Sequence, residues 1–252
     1  RYLMTFDPTI FTAPQAKPLP VILLLDVSAS MSGEKIMNLN EAVGDMLSTF
    51  SDTETSETEI HAAIITFGTE VLLNQSLISA SQIQWKELWA SGMTPLGTAL
   101  KMAKAMIEDK DVVPSRAYRP AVVLVSDGQP NDDWQQPLVD FITTGRSAKC
   151  DRMAMAIGAD ADEKVLGKFV EGTQNPLCYS ENAKQMREFF KFVTMSVTSR
   201  VNSGNPNALP KPETTEAKTI SIEARSIKTD TPESQKKLGD DGAGDNSDEG
   251  YW

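Results

Sequence analysis

Histidine is almost missing from this 252-residue chain; His61 is the single example. A lone imidazole beside Glu59, with no nucleophile to serve, makes no catalytic triad, so His61 reads as a packed or edge residue. Cysteine is nearly as scarce, with only Cys150 and Cys178. Two thiols build no disulfide framework, and a chain of this length needs none. Both are expected to be reduced and packed in a core, with the cytoplasm as the default location. Long apolar runs are lacking too. The run Val21–Leu25 falls far short of the ~20 residues a bilayer span requires, and the opening RYLMTFDPTI has no basic region followed by an apolar one. Neither a membrane span nor a signal peptide is expected. The last shortage is positive charge: 24 Lys and Arg against 35 Asp and Glu, a formal net charge of -11. A nucleic-acid binder needs clustered cations to displace counterions from phosphates, so that class is excluded.

What the chain does have is alternation of apolar strands and amphipathic helices. PVILLLD is apolar at every position up to a carboxylate, the pattern of a strand buried on both faces. The stretch from Ser30 to Phe50 spaces Ile36, Leu39, Val43, Met46, Leu47 and Phe50 at helical intervals, with Ser32 as the expected cap. EIHAAIITFG is a second buried strand. TEVLLNQSLI follows after so short a turn that it must run antiparallel. Further on come the loop SGMTPLG, the helix TALKMAKAMIEDK, the strand RPAVVLVSDGQP, a helical stretch within 132–146, a strand in 149–158, a helix in 162–170, a short strand at 177–180 and a final helix at 182–201. This order predicts an α/β fold: a Rossmann-like, doubly wound, mostly parallel central sheet with one antiparallel edge strand and helices on both faces. Residues 1–17 are a Pro-punctuated, extended lead-in and 18–201 the domain. Residues 202–252 form an acidic tail too poor in apolar residues to offset its ordering entropy, and it is expected to be disordered. Within that tail ISIEARSI alternates apolar and polar residues, which suits an edge strand, a docking peptide or an unstructured stretch equally. No internal repeat is evident.

Two of the predicted strands end in carboxylates, and open α/β sheets bind ligands beyond the carboxyl ends of their strands. DVSAS places Asp26, Ser28 and Ser30 on alternate residues just past the first strand. Asp127 ends another central strand in VSDGQP. Thr94 sits in a loop loosened by Gly92 and directed by Pro95. These five side chains offer only oxygen, the donor that hard divalent ions prefer: Mg2+, or alternatively Mn2+ or Ca2+. An ion held mostly by hydroxyls stays electron-poor and seeks an external anion. A carboxylate from another protein fits that need.

D-x-S-x-S after an apolar strand, then Gly-Met-Thr-Pro, then an apolar strand ending Ser-Asp-Gly, resembles the von Willebrand factor A (VWA) domain with its metal-ion-dependent adhesion site (MIDAS). The resemblance runs over roughly residues 18–201, in the family's order and spacing. It implies the VWA fold, with Ser28, Ser30 and Thr94 as direct metal ligands and Asp26 and Asp127 acting directly or through water. It also implies no catalytic role. DVSASMSG, GMTPLGTAL and VLVSDGQPND look most like the cytoplasmic TerY-type proteins of bacterial tellurite-resistance and stress operons. That likeness implies a scaffold or adaptor, with a protein kinase-like protein and a metal-dependent Ser/Thr phosphatase as candidate partners. Ala29 and Met93 stand where many members have Gly, which bears on loop mobility rather than on ligation. The tail lacks the Cys-rich extension of some TerY-like proteins.

Two other functions compete. One keeps the VWA fold as a subunit working with an AAA+ ATPase. The other is a metal-dependent phosphatase-type enzyme, but the aspartyl-phosphate class needs a second carboxylate where Ser28 stands. Remaining residues read as structural. Trp85 and Trp89 are expected to pack in the core or a loop; Met31, Met37, Met46, Met102 and Met106 to fill core; Asp132 and Asp133, close after Asp127, to lie in a solvated loop rather than rim the site. The Tyr251-Trp252 pair is a docking element or simply an exposed end.

Overall fold

The structure is a computed structural model and describes residues 16–208. Its central strand is β1 (Lys17–Asp26), whose side chains divide between two cores. Leu19, Val21, Leu23 and Leu25 enter one, and Ile22 and Leu24 the other. That division explains why the run is apolar at every position, since neither face meets water.

The remaining elements are α1 (Glu34–Thr53), β2 (Thr58–Phe67), β3 (Val71–Ser79), α2 (Leu96–Glu108), β4 (Ala121–Ser126), α3 (Gln135–Thr143), β5 (Asp151–Ile157), α4 (Glu163–Val170), β6 (Leu177–Ser180) and α5 (Ala183–Asn202). The strands form one sheet in the order β3-β2-β1-β4-β5-β6. All neighbours are parallel except β2 and β3, as the short link between those two required. Leu39 and Val43 of α1 and Phe189 and Val193 of α5 cover one face. Leu100 of α2, Phe141 of α3 and Phe169 of α4 cover the other. The chain passes from β1 to β2 on one side and later returns to place β4 on the other. The order of winding therefore switches between β1 and β4, where a crevice opens at the carboxyl edge.

Local details depart from the sequence reading. Ser32 does not cap α1; Gly33 holds the cap position at φ +78°, because the chain leaves a single 3-10 turn at Ala29–Met31 and must reverse through the left-handed region that glycine tolerates. Met37 is 67% exposed, one residue round the helix from the buried stripe of Ile36, Leu39 and Val43. Residues 83–90 are irregular yet anchored: Asn40 Nδ2 donates to Leu88 O at 3.0 Å, and Leu88 N–H donates to Asn40 Oδ1 at 2.8 Å. Trp85 packs against the core beneath them, whereas Trp89 is 81% exposed, contrary to the expectation that both would pack. Cys150 and Cys178 are buried free thiols, and burial pushes each up to about 12. His61 lies inside the sheet, on β2 between Pro20 of β1 and Ser79 of β3, with its Nε2 3.1 Å from Glu59 Oε2. Among the described residues no helix is long and apolar enough to cross a membrane. Lys17 already belongs to β1 and Asn202 to α5. ISIEARSI and Tyr251-Trp252 lie outside the described residues.

Candidate metal centre

Asp26 is the last residue of β1 and continues the side taken by Ile22 and Leu24. It is 0% exposed. Its Oδ1 accepts from Ser28 N–H at 2.8 Å and its Oδ2 from Ser126 Oγ at 2.6 Å. Burial raises its pKa; the Ser126 and Ser28 hydrogen bonds oppose the rise, and the charge of Asp127 adds to it. The turn after β1 carries the two serine hydroxyls to the same place, with Ser28 Oγ 3.0 Å from Ser30 Oγ. Ser30 Oγ then donates to Asp127 Oδ1 at 2.7 Å. Residues from β1 and from the end of β4 are thus joined in one hydrogen-bonded cluster.

Thr94 arrives from a third segment. Ser91 N–H donates to Val27 O at 2.7 Å and Ala29 N–H to Gly92 O at 3.0 Å, which ties this loop to the turn after β1. Gly92, at φ +80°, lies so close to Thr69 that a Cβ there would come within 2.2 Å of its backbone nitrogen; only glycine fits this approach. Thr94 O accepts from Leu96 N–H at 2.9 Å and from Asn131 N–H at 3.1 Å. A Cβ on Gly128 would stand 3.2 Å from Thr94 Oγ1 and 3.9 Å from Ser30 Oγ. Both hydroxyls therefore lie close to Gly128, an approach that the missing side chain permits. All five residues predicted from sequence meet here.

The donor set fits a hard divalent cation. It comprises three hydroxyls and two carboxylates, with no soft ligand. Among the described residues no three His, Cys, Asp or Glu side chains gather as a metal cluster, so hydroxyls must supply much of any coordination here. When bound, such an ion supplies positive charge and coordination positions that protein hydroxyls alone leave incomplete.

Three residues were given no role at the site by the sequence reading. Ser126 buttresses Asp26. Asp132, expected in a solvated loop, caps α2 instead: its Oδ1 accepts from Gly97 N–H at 2.8 Å, and its Oδ2 from Thr98 N–H at 2.8 Å and Thr98 Oγ1 at 2.9 Å. This cap lets the helix begin at Leu96, two residues earlier than the periodicity indicated, and it steadies the loop carrying Thr94. The third is Lys35, whose Nζ lies 2.5 Å from Asp127 Oδ2. The one available signal was its place in the first turn of a helix, where a cation opposes the helix dipole and wants a reason to be there. On the rim, Met93 is 62% exposed, and Trp89 lines a groove with Val27, Leu72 and Ser91.

The chain matches the model of the von Willebrand factor type A domain over residues 21–192. No curated protein matches it. Among solved structures it is similar to a von Willebrand factor type A protein from Catenulispora acidiphila, with a TM-score of 0.55 and 20% identity, covering 72% of this chain and 43% of that one. It is also similar to the pilus adhesin SpaC of Lactobacillus rhamnosus GG in its open conformation, with a TM-score of 0.58 and 12% identity, covering 74% and 30%. A third is proximal thread matrix protein 1 of the mussel byssus with a zinc-occupied MIDAS motif, with a TM-score of 0.52 and 16% identity, covering 73% and 47%. The chain spans less than half the length of each, and at such identities the likeness is one of fold.

Proposed function

The chain belongs to the von Willebrand factor type A domain family, and from that premise we propose that it is a divalent-metal-dependent protein-binding module rather than an enzyme. The observation that carries this reading is the convergence of oxygen side chains from three separate segments beside Gly128. Ser28, Ser30 and Thr94 would hold Mg2+, Mn2+ or Ca2+ directly. Asp26 and Asp127 would supply charge, directly or through water. The remaining position is for an acidic side chain of a partner protein. The mussel protein, whose MIDAS motif holds zinc, supports metal binding at this place in the fold.

The setting we favour is a bacterial stress-response system of the tellurite-resistance type, in the cytoplasm. There the module would act as a scaffold for a protein kinase-like protein and a metal-dependent Ser/Thr phosphatase. This rests on the wording of DVSASMSG, GMTPLGTAL and VLVSDGQPND, and the two buried free thiols agree with a reducing compartment.

Calorimetric titration with MgCl2 and MnCl2 should find one site, weakened at least about tenfold by Asp26→Ala, since a carboxylate neighbour of a divalent ion contributes more than one charged hydrogen bond. Pulldown from cell lysate should capture a partner in Mg2+ and lose it in EDTA and with Asp26→Ala. Equal capture under all three conditions would overturn the reading.

A further inference from the structure

Asp127 is a carboxylate whose side chain is fully buried, and Lys35 reaches it from outside with a side chain that is 37% exposed. The two oxygens of Asp127 have different partners: Oδ1 takes the Ser30 hydroxyl at 2.7 Å, and Oδ2 takes the Lys35 ammonium at 2.5 Å. Lys35 is the second residue of α1. A lysine there lies against the positive end of the helix dipole, so its position costs free energy unless an anion compensates. Its ammonium sits beside the turn after β5, where a Cβ on Gly158 would be 3.8 Å away.

The charges at the site are few. Asp26 and Asp127 are both buried, and among the described residues Lys35 alone makes an ion pair with either. Asp26 is held by a hydroxyl and an amide, which carry no net charge. Lys35 therefore brings the trio to a net charge of minus one. A divalent cation drawn to the same carboxylates meets this ammonium already in place.

We propose that Lys35 is a tethered counter-ion that competes with the divalent cation for Asp127, and so sets the metal affinity of the site. The inference rests on the metal-binding reading above and adds a residue outside the five ligand candidates. Without the metal, Lys35 neutralises Asp127 and ties the first turn of α1 to the loop after β4. With the metal, its charge opposes the ion from a few ångströms away, and its exposed stem lets the ammonium swing toward solvent. The site thereby stays folded without metal but binds it less tightly than its oxygens alone would.

The test uses the full chain as wild type, Lys35→Met, Lys35→Gln and, as a control for net charge, Lys184→Met, whose lysine side chain is 75% exposed on α5. Calorimetric titration with MgCl2 and MnCl2 should show both Lys35 variants binding roughly tenfold more tightly than wild type, because a positive charge has left a partly buried site. Lys184→Met should bind like wild type. Thermal melting in EDTA gives a second readout: both Lys35 variants should melt lower than wild type, and the difference should shrink when Asp127→Asn is the background. Unchanged or weaker metal binding by both Lys35 variants overturns the inference and leaves the metal site standing. So does an equal gain in Lys184→Met, which would make the effect one of net charge alone. Absence of Mg2+ and Mn2+ binding in every protein overturns the proposed function and this inference together.

Discussion

Asp151 opens β5 at the amino-terminal edge of the sheet, and Asp26 closes β1 at the carboxyl edge. Both are buried, and burial raises the pKa of both. Their surroundings differ. Arg200, Asn175, Arg119 and Arg152 pull Asp151 back toward its charged form, and Arg152 and Arg200 are themselves fixed. Arg152 donates to the carbonyls of Phe169, Ala148 and Glu171. Arg200 donates to those of Pro206 and Arg119, and burial lowers its pKa to about 10. Around Asp26 and Asp127 the fold supplies hydroxyls, an amide and one half-exposed lysine. One edge closes its charge internally with guanidinium groups bonded to backbone. The other leaves its negative charge only partly balanced by the fold, with Lys35 as the one ion-pair partner among the described residues. Buried carboxylates at strand ends are thus not a functional signal by themselves; what compensates them decides.

The largest effect should appear on removing the fixed compensation. Arg200→Met removes a buried guanidinium near Asp151 and frees two carbonyls, so urea unfolding should show a loss of about 3 kcal/mol, the size of a broken buried hydrogen-bond network. A loss below about 1 kcal/mol, the size of an ordinary substitution, would break the contrast between the edges.

A pH series sharpens it next. A carboxyl whose folded pKa is raised favours the folded state below its unfolded pKa, and that contribution disappears as pH climbs through the folded value. In EDTA, wild-type stability should therefore fall from about pH 4, the ordinary carboxylate range, up to the raised pKa of Asp26. Asp26→Asn should flatten that limb, and excess Mg2+ should also remove it by favouring the ionised form. Glu108 behaves in the opposite sense. Burial tends to raise its pKa, but the Ser147 and Arg146 amides and Lys104 lower it on balance, so its contribution is present at neutral pH and lost on acidification. Denaturation curves from pH 3 to 8 for wild type and Asp26→Asn separate the two limbs; identical curves would show that Asp26 carries no burial penalty.

The smallest effect on folding should come from the rim of the open edge. Trp89 is 81% exposed, so Trp89→Ala should change stability by about 0.5 kcal/mol or less. If the rim contacts a partner, an exposed tryptophan beside the metal loop should matter far more there, with Mg2+-dependent capture weakened about tenfold or more. Unchanged capture would confine the interface to the metal and its immediate ligands.

Much of this was legible in the chain. Double-sided burial of β1 and β4 showed in apolar residues at every position, and the antiparallel β3 in the shortness of its link. Asp26, Ser28, Ser30 and Asp127 announced themselves by their places after those strands, and Thr94 by its Gly-Met-Thr-Pro loop. Lys35, Asp132 and Ser126 did not. Lys35 meets Asp127 across 92 positions, Asp132 meets Gly97 across 35, and Ser126 meets Asp26 across 100. A pairing over such distances leaves no period and no local motif. Met37 misled because being apolar in an amphipathic helix does not say which flank of the stripe a residue occupies, and Trp89 because an irregular segment has no period from which burial can be read.

The sequence by itself determined the layers, the strand ends and the oxygen-rich character of the site, because burial periodicity and turn chemistry act between near neighbours along the chain. Only the tertiary structure decided which charges compensate which. Electrostatic partnership depends on distance in space and on exclusion of water, and both arise when segments remote in sequence are packed onto the same edge of the sheet.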